Sequence, residues 1–267
     1  MPHFTHDGLP FHYLESGAGT PFVFQHGLGA DASQPLGLFR PPAGVRLLCF
    51  DCRAHGRTPV GDENKLGFVT LADDLAAFLD HLGLERAVIG GISMGAGVAV
   101  NFALRYPRRV RGLVLSRPAW LAGPKPETVR WCATIARLIR EHGPARGKEA
   151  FLLTPDYAEA RRESPDVAAS GLRQFDDPRA VETVARLERI PPDAPCRSLD
   201  ELAAIAVPTL VLAHHQDPVH PFAYGQALAA AIPGAVLREI ASKSVSVERH
   251  TADVQRHIET FLQELPD

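Results

Sequence analysis

The chain has 267 residues, 45% hydrophobic and 22% charged, with a formal net charge of −3 when histidine is neutral. This is the balance of a globular protein whose length suits one large α/β domain. It excludes the basic footprint of a nucleic-acid binder. No apolar run approaches the ~20 residues of a membrane-spanning helix, so no membrane association is expected. The first residues, Met1-Pro2-His3-Phe4-Thr5-His6-Asp7, lack the basic start and apolar stretch of a secretory signal. The expectation is a cytoplasmic protein with reduced thiols. Its cysteines are Cys49, Cys52, Cys132 and Cys196. The Cys49-x-x-Cys52 pair reads as buried packing, because no second pair exists to complete a tetrahedral metal site.

In chain order, short apolar runs predict buried strands at 21–25, 45–50, 87–90, 112–116, 208–213 and 235–240. Continuous apolar runs of this length suit parallel strands covered on both faces. Helical patterns lie between and after them at 71–82, 96–106, 222–231 and 251–262. The fold class is therefore α/β, a mostly parallel central sheet with helices on both faces. The stretch 120–206 breaks the rhythm. It has helical patterns at 129–141 and 180–189, proline-rich joints and no convincing strand. It reads as a helical cap inserted between sheet strands, with 1–119 and 207–267 forming the core.

Gly91-Ile92-Ser93-Met94-Gly95 falls directly between a predicted strand and a predicted helix. A serine on so tight a turn needs small neighbours, and the turn aims backbone N–H groups and the positive helix end at it. Ser93 is the candidate nucleophile. His26-Gly27-Leu28-Gly29 follows the strand at 21–25. The N–H of Leu28 there, together with that of Met94, would form an oxyanion hole. The His26 imidazole reads as a brace for the loop, with substrate contact as the other possibility. Asp51-Cys52-Arg53-Ala54-His55-Gly56 is a polar turn in which Arg53 ties loops together. His214-His215-Gln216-Asp217-Pro218-Val219-His220 ends the strand at 208–213, and Asp217 stands where a triad acid would sit, in the chain order Ser, Asp, His. The histidines around Asp217 are metal-ligand types, but no partner motif accompanies them, so no metal and no cofactor are expected.

These residues together resemble the α/β-hydrolase superfamily over nearly the whole chain, in the branch of esterases and lactonases with a helical cap. The resemblance rests on His26-Gly27, the Asp51-x-Arg53-x-x-Gly56 turn, Ser93 and Asp217. It implies hydrolysis of an ester, lactone or related carbonyl of a small molecule through an acyl-enzyme. The chain departs from the family after its last strand, where a Gly-His would supply the triad histidine. Here the sequence runs Ile240-Ala241-Ser242-Lys243-Ser244-Val245-Ser246-Val247-Glu248-Arg249-His250. The preferred base is His250, delivered by the start of the final helix. Alternatives are His220, which shares the loop of the acid, and Lys243 with a strongly lowered pKa. A further alternative is a non-hydrolytic or ligand-binding member of the fold with no base at all. Arg117, at the end of the strand 112–116, could hold a substrate carboxylate or pair with an acid. Trp120 and Trp131 could line a pocket. Oligomeric state is not readable.

Overall fold

In the computed structural model, which describes residues 2–123 and 127–266, eight strands form one sheet. They are β1 (His3–His6), β2 (Leu9–Gly17), β3 (Gly19–Gln25), β4 (Gly44–Phe50), β5 (Ala87–Ile92), β6 (Val110–Ser116), β7 (Thr209–Ala213) and β8 (Val236–Glu239). Their spatial order is β1-β2-β4-β3-β5-β6-β7-β8. β1 and β2 run antiparallel to their neighbours, and every pairing from β4 to β8 is parallel. The helices in chain order are α1 (Ser33–Leu38), α2 (Phe68–His81), α3 (Met94–Arg105), α4 (Trp131–Phe151), α5 (Pro155–Glu163), α6 (Pro165–Asp176), α7 (Ala180–Thr183), α8 (Ala185–Arg189), α9 (Phe222–Ala231) and α10 (Val247–Glu264).

The apolar runs of the central strands follow from burial on both faces. Every residue of β5 and of β7 is buried. Alternate residues serve opposite cores. Val23, Leu48, Ile89 and Leu113 face α2 and α3, whereas Phe22, Phe24, Leu47, Val88 and Val114 face the side that holds Val254 and Ile258 of α10. This period of two is the geometry of the pleat.

The N-terminal hairpin β1–β2 is absent from the sequence reading. Its signal was present. Asp7-Gly8 joins the strands with positive φ at both residues, 50° and 74°, and β2 alternates in burial. An Asp-Gly pair flanked by alternating apolar residues is a strong hairpin signature. Between β6 and β7 the described residues hold helices α4 to α8 and no strand of the sheet. One isolated bridge, Ala122 to Cys196, ties the ends of this insertion together. α4 is longer than its predicted core and breaks at Gly143-Pro144, where Gly143 takes φ 73°. The stretch 180–189 divides into α7 and α8.

The turn after β4 is held by charge. Arg53 is 1% exposed and donates through Nε and Nη2 to both oxygens of fully buried Asp74, each at 2.7 Å. This bidentate pair fastens the turn to α2. Asp51 accepts from the N–H groups of Ala32 at 2.8 Å and Arg57 at 2.9 Å, closing the same turn on the loop before α1. Replacing Arg53 with Met strands Asp74 in the core. The expected loss is about 3–5 kcal/mol of unfolding free energy. Urea denaturation of Arg53→Met beside Arg53→Met/Asp74→Leu checks this, with the double variant recovering much of the loss.

Candidate active site

Ser93 lies between the end of β5 and the start of α3, at φ 56° and ψ −108°. A non-glycine residue rarely adopts this conformation, and the surrounding structure must enforce it. The flanking glycines permit it. A Cβ on Gly91 would lie 2.1 Å from the carbonyl carbon of Gly95, and one on Gly95 would lie 2.4 Å from the Gln25 oxygen. The Ser93 N–H donates to the Ser116 carbonyl at 2.9 Å, which pins the turn to β6. Met94 opens α3, so its N–H belongs to the set that a helix start leaves without an intrahelical acceptor.

The loop after β7 brings Asp217 and His220 together. Asp217 Oδ1 accepts from the N–H groups of Val219 and His220, both at 3.1 Å, which curls the chain back on itself. Asp217 Oδ2 accepts from His220 Nδ1 at 2.8 Å. His220 Nε2 stands 2.9 Å from Ser93 Oγ. A carboxylate can only accept, so Nδ1 carries the ring proton and Nε2 offers a lone pair to the Ser93 hydroxyl. The relay Asp217–His220–Ser93 is thus continuous.

Arg117 closes on the same carboxylate. It directly follows β6 at φ 50°, and its Nη2 donates to Asp217 Oδ2 at 2.9 Å. The same nitrogen lies 3.2 Å from His220 Nδ1. Both atoms are donors, so this is a cation held against the ring and not a hydrogen bond. Burial pushes the His220 pKa down; Asp217 opposes that, and Arg117 adds to it. The ring therefore titrates below the ordinary histidine value of 6.5. Burial works to raise the pKa of Asp217, but His220, Arg117 and His214 hold it well below the carboxylate range. His214, which the sequence reading left without a role, has Nε2 3.5 Å from Asp217 Oδ2.

The preference for His250 is corrected here. His250 is fully buried in the first turn of α10, where Nδ1 donates to the Ala241 carbonyl at 2.8 Å and the ring packs edge-on against His214. Burial holds its pKa down to about 3. The start of α10 points this side chain beneath the loop that follows β8, while the curl after β7 carries His220 to the serine. The chain spacing in Asp217-Pro218-Val219-His220 was the available signal, because a side chain three residues on returns to the carboxylate in such a curl.

The other expected residues are distributed as follows. Both ring nitrogens of His26 are committed to backbone: Nδ1 donates to Gly27 at 2.8 Å, and Nε2 accepts from Cys52 at 3.0 Å. His26 braces its loop and does not line the serine pocket. Gly27 and Leu28 do line it. A Cβ on Gly27 would come within 3.5 Å of Ser93 Cβ, so this loop passes directly beside the serine. Trp120 is buried against Phe68 and donates to the Pro191 carbonyl at 3.3 Å, away from the pocket. Trp131 forms part of the pocket wall, as does Lys243. The pocket is a narrow cleft that opens to solvent. Among the described residues no cluster of His, Cys, Asp or Glu is disposed to hold a metal, and no helix is long and apolar enough to cross a membrane.

Residues 20–244 match the family model for the alpha/beta hydrolase fold. The chain belongs to the alpha/beta hydrolase family. It is 30% identical over 232 residues to 3-oxoadipate enol-lactonase 2 of Acinetobacter baylyi, covering 84% of this chain and 81% of that protein. Its fold is similar to the enol-lactonase of Burkholderia xenovorans, with a TM-score of 0.74 and 26% identity over 98% of this chain and all of the other. An N-acyl homoserine lactone degrading enzyme is also similar, with a TM-score of 0.68 and 26% identity over 98% of this chain and 99% of the other. Within this family the chain is a hydrolase of small carbonyl compounds.

The placement of Arg117 has a measurable consequence. In a histidine-selective NMR titration, the His220 ring should titrate below 6.5. Arg117→Met removes the cation that opposes the imidazolium, so the midpoint moves to higher pH. A midpoint unchanged by the substitution contradicts the electrostatic role of Arg117.

Proposed function

We propose that this hydrolase cleaves an ester, lactone or related carbonyl through an acyl-enzyme on Ser93, with His220 as base and Asp217 as the orienting acid. The observation that carries this reading is the unbroken chain of contacts, 2.8 Å from Asp217 to His220 and 2.9 Å from His220 to Ser93. Attack by the Ser93 Oγ on the carbonyl transfers its proton to His220 Nε2. The imidazolium forms against the Asp217 carboxylate, which offsets the charge of nearby Arg117. The N–H groups of Leu28 and Met94 would receive the developing oxyanion. The imidazolium then gives its proton to the leaving oxygen, and the same ring activates the water that releases the acid. A base with a pKa below the ordinary value stays neutral at physiological pH, and its conjugate acid is correspondingly ready to protonate the leaving group. The insertion between β6 and β7 serves as the cap, since Trp131, Asp166, Val167 and Ser170 from it face Ser93 across the pocket. No cofactor enters these steps.

A fluorophosphonate probe tests the assignment. The wild-type protein should label on Ser93, and Ser93→Ala and His220→Ala should abolish labelling and lower kcat on an activated ester by roughly 10⁴–10⁶-fold. His250→Asn keeps a donor toward Ala241 and should still label. Labelling that survives His220→Ala but disappears in His250→Asn would return the base to His250. A folded wild-type protein that does not label would contradict nucleophilic catalysis altogether.

A further inference from the structure

The charged side chains around Ser93 are unevenly matched. Arg117, Arg173 and Lys243 line the pocket, against the single carboxylate of Asp166. Arg117 is committed: it donates to Asp217 at 2.9 Å and lies 3.6 Å from Asp166. Arg173 and Lys243 have no carboxylate within ion-pairing distance among the described residues. Elsewhere among the described residues, the buried cations are paired. Arg53 meets Asp74 and Asp7, and Arg186 meets Asp177 at 2.7 Å. Of the two unpaired cations Lys243 is half-buried, and a cation held partly out of water without a counter-ion is costly unless something else supplies the charge.

The two cations reach the pocket from different elements. Lys243 sits in the loop between β8 and α10 and is half-buried. Burial, and then the neighbouring Arg117, hold its pKa down to about 8, so it remains a cation at neutral pH. Arg173 comes from α6, whose Asp166, Ser170 and Arg173 turn one face to the pocket with the spacing of successive helical turns. Arg173 is itself exposed, so it guards the solvent side. Trp131, Val167 and Val219 supply apolar wall between these polar groups.

We infer that the pocket selects small esters or lactones bearing a second, free carboxylate, and that Lys243 and Arg173 hold that carboxylate while the scissile carbonyl lies at Ser93. The inference rests on the proposed acyl transfer for its reaction and on the unpaired cations for its substrate class. A short carbon chain against Trp131, Val167 and Val219 would join the two ends. The specificity role first considered for Arg117 passes to these residues, because its Nη2 is held by Asp217.

Paired substrates test this. 4-Nitrophenyl hydrogen glutarate and 4-nitrophenyl valerate have acyl chains of equal length and differ by a terminal carboxylate in place of a methyl. Wild-type kcat/KM should favour the glutarate by roughly tenfold or more, the scale of a hydrogen bond to a charged group. Lys243→Met and Arg173→Gln should each bring the ratio toward unity through KM for the glutarate, and Lys243→Arg should restore it. Calorimetry on Ser93→Ala with methyl hydrogen glutarate and dimethyl glutarate gives a readout free of turnover, and the half-ester should bind more tightly. Equal kcat/KM for the two nitrophenyl esters, or a preference that survives the Lys243→Met/Arg173→Gln double variant, overturns the inference and leaves acyl transfer standing. Selective half-ester binding that Lys243→Met weakens, in a protein that turns over neither ester, supports the carboxylate site and removes the acyl-transfer reading instead.

Discussion

The site is organised around the carboxylate of Asp217. It is 1% exposed at its side chain, yet it accepts from two backbone N–H groups, the His220 ring and the Arg117 guanidinium. A buried carboxylate is stable only when its lone pairs are filled, and these donors fill them. The backbone contacts curl the loop after β7, the curl presents His220, and His220 reaches Ser93. Arg117 anchors the carboxylate to the end of β6, so two adjacent strands converge on one anion. Remove that anion and the curl, the ring orientation and the tautomer all lose their cause.

Sharing the acid between an imidazole and a guanidinium has a chemical cost and a benefit. The guanidinium weakens the base by opposing the charge that forms on proton transfer. With His220 and His214 it also holds the pKa of Asp217 well below the carboxylate range, which favours the Nδ1–H tautomer. The His220 ring therefore presents Nε2 to the serine without first shedding a proton. Arg117 leaves β6 at φ 50°, and its guanidinium reaches Asp217 on the neighbouring loop.

Much of this was legible in the sequence, for identifiable reasons. The parallel core announced itself because β5 and β7 are buried along their whole length and so carry unbroken apolar runs. Ser93 was legible because steric crowding at Gly91 and Gly95 leaves few other residues possible there. Asp217 was legible from its position just past a strand end. The base was not. Choosing between His220 and His250 requires knowing which direction each side chain leaves its loop. That direction is set by hydrogen bonds to Asp217 in one case and to the Ala241 carbonyl in the other, neither of which has a linear pattern. The β1–β2 hairpin was readable from Asp7-Gly8 but was overshadowed by the stronger parallel-strand pattern. Arg173 and Ser170 were invisible for a different reason: their helix faces Ser93 only after the insertion folds back over the sheet.

The relation between His220 and the loop after β8 connects these features. A serine hydrolase needs a base near its nucleophile and an acid behind the base, and these are requirements of distance, not of chain position. Asp217 meets both from one loop by folding His220 back toward Ser93. On the proposed assignment of His220 as base, the loop after β8 need not deliver one. It still lies on the pocket, however, and its shape is maintained from below: His250 donates to Ala241, and Asp253 Oδ2 accepts from the Ala241 N–H at 2.9 Å. Two side chains of α10 thus hold the N–H and the carbonyl of one residue, Ala241, at the root of the loop. The residue this loop presents to the pocket is Lys243. A histidine beneath and a lysine above give this loop a fixed root and a charged tip at the pocket.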